Sequence, residues 1–97
     1  MSRGELSAPA EALTDERAIE VLRAWVAHGQ LFCSLLPETW DEIGAWGILL
    51  ADVARHVSNA LAESKGLNRE DSIRRIREIF DAELNQPTDE PSGDFVS

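Results

Sequence analysis

Cys33 is the only cysteine in the chain of 97 residues. No internal disulfide framework can form, which sets aside the small secreted scaffolds built on one. Basic residues are also scarce. Nine Lys and Arg stand against 18 Asp and Glu, for a formal charge of −9. Such a chain gains nothing from counterion release on DNA or RNA, and anionic lipid repels it. Neither nucleic acid nor membrane is therefore expected as a partner. Apolar runs such as Ile48–Ala51 stop far short of the ~20 residues that a spanning helix needs. No basic stretch followed by an apolar segment opens the chain, so no secretory signal is expected and the cytoplasm is the expected compartment. His28, Cys33 and His56 are scattered, without the close pairing of metal ligands, and no metal is expected. The six glycines form no phosphate-cradling pattern, and no cofactor is expected.

What is present reads as one domain over residues 19–85 between two flexible segments, 1–18 and 86–97. Pro9 and Gly4 sit in the first segment, Pro87, Pro91 and Gly93 in the second. Residues 19–85 carry 11 acids and 7 bases, so the terminal segments hold more than half of the net charge. A domain of this size buries only a marginal core, and help from a partner chain would be unsurprising.

Ile19–Ala27 fits two periods. As a helix it puts Glu16, Glu20 and Arg23 on one face. As a strand it alternates Leu22, Ala24 and Val26 with Val21, Arg23 and Trp25. His28-Gly29 is a turn signal, and the apolar run 31–36 stopped by Pro37 suits a strand that needs a neighbour. The expected fold class is α+β: a two-stranded antiparallel hairpin followed by two antiparallel helices. An all-α three-helix bundle is the alternative.

The helices are plainer. Thr39-x-x-Glu42 matches a capping box. Trp46, Leu49, Leu50, Val53, Val57, Ala60 and Leu61 then recur in steps of three and four, a continuous apolar stripe. Lys65 and Gly66 suit its end. Gly44 and Gly47 weaken the helix, and close packing on the hairpin is the ordinary reason to keep them. Asn68 can cap a second helix whose apolar face is Ile73, Ile76, Ile79, Phe80 and Leu84. Arg74–Glu78 and Arg77–Asp81 are expected as outward i, i+4 pairs.

Candidate functional groups are few. Asp52, Arg55, His56 and Asn59 share a flank of the long helix, where a carboxylate could orient an imidazole for acid–base work. A solvated helix flank is the more ordinary reading. Cys33 with His56 and Asp52 could be drawn as a nucleophilic set, but a cysteine buried as a small hydrophobe is the better expectation. Trp25, Trp40 and Trp46 are core residues first and interface anchors second. Arg69, Arg74, Arg75 and Arg77 form a basic patch interleaved with Glu70, Asp71, Glu78 and Asp81, which favours a solvated ion-pair face over RNA.

The runs E-V-L-R-A-W (20–25), T-W-D-E (39–42), A-W-G-I-L-L-A-D-V-A-R-H-V (45–57), I-F-D-A-E (79–83) and P-T-D (87–89) resemble a small uncharacterised bacterial family, a domain of unknown function. The chain departs from that family's pattern at Glu42-Ile43, where an Asp-Pro pair is usual. The resemblance implies the strand–strand–helix–helix order and carries no activity, cofactor or catalytic residue. The leading functional expectation is a non-enzymatic interaction or structural module that pairs with itself as a homodimer. Alternatives are a small enzyme or ligand-binding protein using Asp52, Arg55 and His56, and an acidic antitoxin-like or mimic protein.

Overall fold

The computed structural model describes residues 5–88 and 92–95, the last four through their backbone. Residues 1–4, 89–91 and 96–97, parts of the segments expected to be flexible, lie outside the described residues. The described chain divides into two compact units, one of residues 5–39 with 92–95 and one of residues 40–88.

The first unit opens with a short helix, α1 (Ala10–Thr14), and is built on a hairpin of β1 (Leu22–Ala27) and β2 (Gln30–Leu35). The strand reading of 22–27 holds, and so does the turn. His28 and Gly29 both take positive φ, 53° and 72°, as the mirror-image two-residue turn of a right-twisted hairpin requires. That turn sets the register: Ala27 opposes Gln30, Val26 opposes Leu31 and Ala24 opposes Cys33. Because successive side chains alternate, Leu22, Ala24, Val26, Leu31, Cys33 and Leu35 fall on one face, with no charge among them. Arg23 lies on the other face. Its guanidinium sits 5.5 Å from the Trp25 ring and bonds Glu5 at 2.9 Å and Glu20 at 3.2 Å. From within the expected C-terminal tail, β3 (Ser92–Phe95) joins β2 in parallel, giving the order β1-β2-β3.

The second unit is an αα-hairpin of α2 (Gly44–Lys65) and α3 (Arg69–Asn85). The capping box does not form. Thr39 donates its hydroxyl backward to the Leu36 carbonyl at 2.6 Å, in the turn after Pro37, and α2 begins only at Gly44 with no side-chain cap from Ile43. Glu42 reaches forward instead and accepts from the Gly44 amide at 3.1 Å. A Cβ on Gly44 would stand 2.9 Å from that carboxylate oxygen, so here glycine makes room for the contact. Gly47 has no such reason, since a Cβ there would meet nothing within 4 Å.

The other end is as expected. Gly66 takes φ 70°, and its amide returns to the carbonyl of Ala62, with the Leu67 amide on the carbonyl of Leu61, an αL-type ending. Asn68 then caps α3 by accepting from the Asp71 amide at 2.9 Å. The expected pairs Arg74–Glu78 and Arg77–Asp81 do not form: Arg74 turns back one helical turn to Asp71, and Arg77 makes no ion pair among the described residues. At the far end the Glu83 carboxylate accepts from both the amide and the hydroxyl of Thr88. That joins two of the stretches, 79–83 and 87–89, on which the family resemblance rests.

Burial is the unexpected feature. Among the described residues Ser58 alone is buried, and no apolar side chain is. The α2 stripe was expected to be covered, yet Leu50, Val53 and Val57 are exposed, Val53 at 48 %. The stripe is broader than the strip that packs against α3. Ile79, Phe80 and Leu84 on α3 are exposed too.

Candidate functional site

The expected polar site splits along the rows of α2. Asp52 and His56, four residues apart, occupy one row, Arg55 and Asn59 occupy the neighbouring row, and Ser58 lies one row further round. Only the Arg55 and Ser58 rows border α3. From α3 come Arg69, Ile73 and Arg77 at i, i+4 and i+8, with Glu70 and Arg74 beside them, all on one face. Together with Arg55, Ser58 and Asn59 they line a groove of about 410 Å³.

Three features define its chemistry. Arg69 donates from Nε to the Asn59 side-chain oxygen at 2.9 Å, which ties the two helices across the groove and fixes the plane of that guanidinium. Arg55 and Arg74 have carboxylates on their outer flanks, Asp52 at 4.0 Å and Asp71 in direct contact, whereas Arg77 makes no hydrogen bond or ion pair among the described residues. Ser58 is 1 % exposed, and its hydroxyl has no hydrogen-bond partner. A buried hydroxyl is ordinarily satisfied, so Ser58 is an uncompensated polar group packed within the groove wall.

His56 and Asp52 are exposed and do not line the groove, so no carboxylate–imidazole pairing is assembled there. Trp40 meets Trp46 edge to face, with centroids 5.2 Å apart and planes at 78°. This is the packing preferred by aromatic quadrupoles. Trp25 stays partly exposed under Arg23, and Cys33 is half-buried on the apolar hairpin face. Among the described residues no three His, Cys, Asp or Glu side chains gather in a metal-binding arrangement. Nor is any described helix long and apolar enough to cross a membrane. Sequence reasoning missed Ser58, and it named the α3 basic patch of Arg69, Arg74 and Arg77 without placing it against Arg55 and Asn59 of α2. The signal that could have brought them together is the matching i, i+4 spacing of 55/59 and 69/73/77 on two helices joined by a short loop.

Residues 5–88 match the family described as a domain of unknown function, DUF5076. The chain belongs to this family. No curated protein matches it. Among solved structures it is similar to one from the photosynthetic bacterium Rhodopseudomonas palustrus CGA009, described provisionally as a pyruvate dehydrogenase. The two are 35 % identical with a TM-score of 0.74, covering 92 % of this chain and 91 % of that one. The DUF5076 strand–strand–helix–helix order is thus the one expected from the resemblance, with α1 and β3 added.

Proposed function

We propose that this DUF5076 chain is a non-enzymatic, self-associating module of the cytoplasm, two copies of which cover each other's apolar surface. One observation carries the reading. Sixteen large apolar side chains are exposed and no apolar side chain is buried among the described residues. At roughly 100 Å² apiece they present on the order of 1,500 Å², about twice the ~800 Å² that each partner gives to a standard interface. Surface of that extent on a soluble chain signals a missing neighbour.

A second copy fits better than an unrelated protein. The hairpin face of Leu22, Ala24, Val26, Leu31, Cys33 and Leu35 holds no charge, so two copies of a chain at −9 can meet there without apposing like charges. A two-fold contact needs only such a self-complementary patch. The outer edge of β1 is also unpaired among the described residues and can extend the sheet across that axis. The enzymatic alternative is weaker, because Asp52 and His56 stand outside the groove, and the neighbour's dehydrogenase description concerns that protein.

Size exclusion with light scattering, from high to low micromolar, tests the proposal. A dimer or higher mass that dissociates on dilution is expected. A strict monomer that stays cooperatively folded throughout overturns it.

A further inference from the structure

The groove between α2 and α3 is electrostatically opposite to the chain that holds it. In a chain of −9, Arg55, Arg69, Arg74 and Arg77 converge against the single lining carboxylate of Glu70. Asp52 and Asp71 offset two of these charges from the outer flanks, leaving Arg77 without a partner among the described residues and Arg69 bonded only to a neutral amide. The first turn of α3, Arg69 and Glu70, borders the groove, so the positive end of that helix dipole adds to the field.

Arg55 and Arg74 are more than half exposed and already ion-paired, so the free donors of the groove are those of Arg77 and Arg69. Planar guanidinium forks are the donors that recognise the oxygens of phosphate or carboxylate. The groove is open to solvent, which suits a small ligand that binds and leaves readily.

We propose that the α2–α3 groove binds a compact, multiply charged oxyanion, with Arg77 and Arg69 gripping its oxygens. Binding is reversible and involves no covalent step. It goes beyond self-association and does not depend on it, since every group named belongs to one αα-hairpin.

The test titrates the isotopically labelled full chain with inorganic phosphate, pyrophosphate, succinate and a glutamate-rich peptide. Protein concentration and ionic strength are held fixed, and amide and arginine Nε–H resonances are followed. Saturable shifts confined to Ser58, Asn59 and Arg69–Arg77 are expected with pyrophosphate or succinate, whichever responds identifying the oxyanion's source. Arg77→Gln should weaken that binding at least about tenfold, the loss of one charge-assisted hydrogen bond. Arg77→Lys, which keeps the charge but not the fork, should fall between. Arg69→Gln gives the same readout should the Arg77 variants fail to fold. Saturation by the peptide alone, equal affinity in Arg77→Gln and the parent, or no saturable shift with any probe overturns the proposal.

Discussion

Replacing Val26 and Leu31 together by threonine separates a solvent-facing hairpin from one that meets a second copy. The two residues stand directly opposite each other in the ladder, and they are 81 % and 66 % exposed. Threonine is β-branched, so the strands keep their local preference, which a charged substitution would not ensure. If this face only meets water, the double change should shift stability by no more than ~0.5 kcal/mol. If two copies bury it, each chain loses about three carbons of apolar burial, or ~2.5 kcal/mol at ~0.8 kcal/mol per methylene. A two-fold interface counts every change twice, so dimerisation weakens by about 5 kcal/mol, more than a thousandfold in the dissociation constant. Sedimentation equilibrium on parent and variant reads this directly, and far-ultraviolet circular dichroism confirms the retained hairpin. An unchanged association constant in a folded variant would refute the placement of the interface on this face.

Three further outcomes follow from local geometry. Gly47→Ala should stabilise α2 by about 1 kcal/mol in urea at dilute protein, because the new Cβ meets nothing. Gly44→Ala should gain clearly less, since its Cβ displaces the Glu42 carboxylate that receives the Gly44 amide; equal gains would show that this contact contributes nothing. Asn68→Ala should cost about 1 kcal/mol by removing the acceptor for the Asp71 amide, with Asn68→Ser restoring most of it, as urea midpoints will report. The Glu83 carboxyl lies below its ordinary range because the Thr88 hydroxyl and then the Thr88 amide bond its ionised form. A depressed folded pKa gives stability that is complete above the unfolded value and disappears as pH falls through the folded one. The Thr88 amide resonance should therefore move with Glu83 only in acid, below the ordinary glutamate range, and Glu83→Gln should abolish that titration; a Thr88 shift near neutrality would contradict the assignment.

The elements legible in the sequence are those set by backbone chemistry within a few residues. His28-Gly29 dictates a two-residue turn and hence the register of the strands beside it. Gly66 and Asn68 end one helix and start the next within three positions. The start of α2 was misread because Thr39-x-x-Glu42 satisfies the capping pattern in composition only. After Pro37 the Thr39 hydroxyl finds the Leu36 carbonyl first, and Ile43 becomes the boundary. β3 was illegible because Ser92–Phe95 offers no strand pattern of its own and depends on the edge of β2 for its partner. The polar site was half legible. Helical spacing groups Asp52 with His56 and Arg55 with Asn59, but which row faces α3 is a matter of helix packing, and the apolar stripe is too wide to decide it.

The width of that stripe connects the proposals. A helix that met only α3 would need apolar residues on the Leu61 side and could be polar elsewhere, as an αα-hairpin in water usually is. α2 instead keeps Ile48, Leu50, Val53 and Val57 exposed while placing its arginine and asparagine beside α3. Ala54, Leu61 and Ala62 on α2 and Ile73 and Ile76 on α3 are half-buried, while Arg55, Asn59, Arg69, Arg74 and Arg77 are exposed, so the arginines rim a mainly apolar seam and a second apolar strip faces outward. That outward strip leaves the isolated chain with apolar surface in water. It is coherent when the outside is covered by another copy, because assembly then supplies the missing burial. A variant with a neutral rim, Arg77→Leu, should accordingly remove oxyanion binding while leaving the dimer mass unchanged. Loss of the dimer in that variant would mean that the seam and the interface are one surface, and that the two functions are not separable.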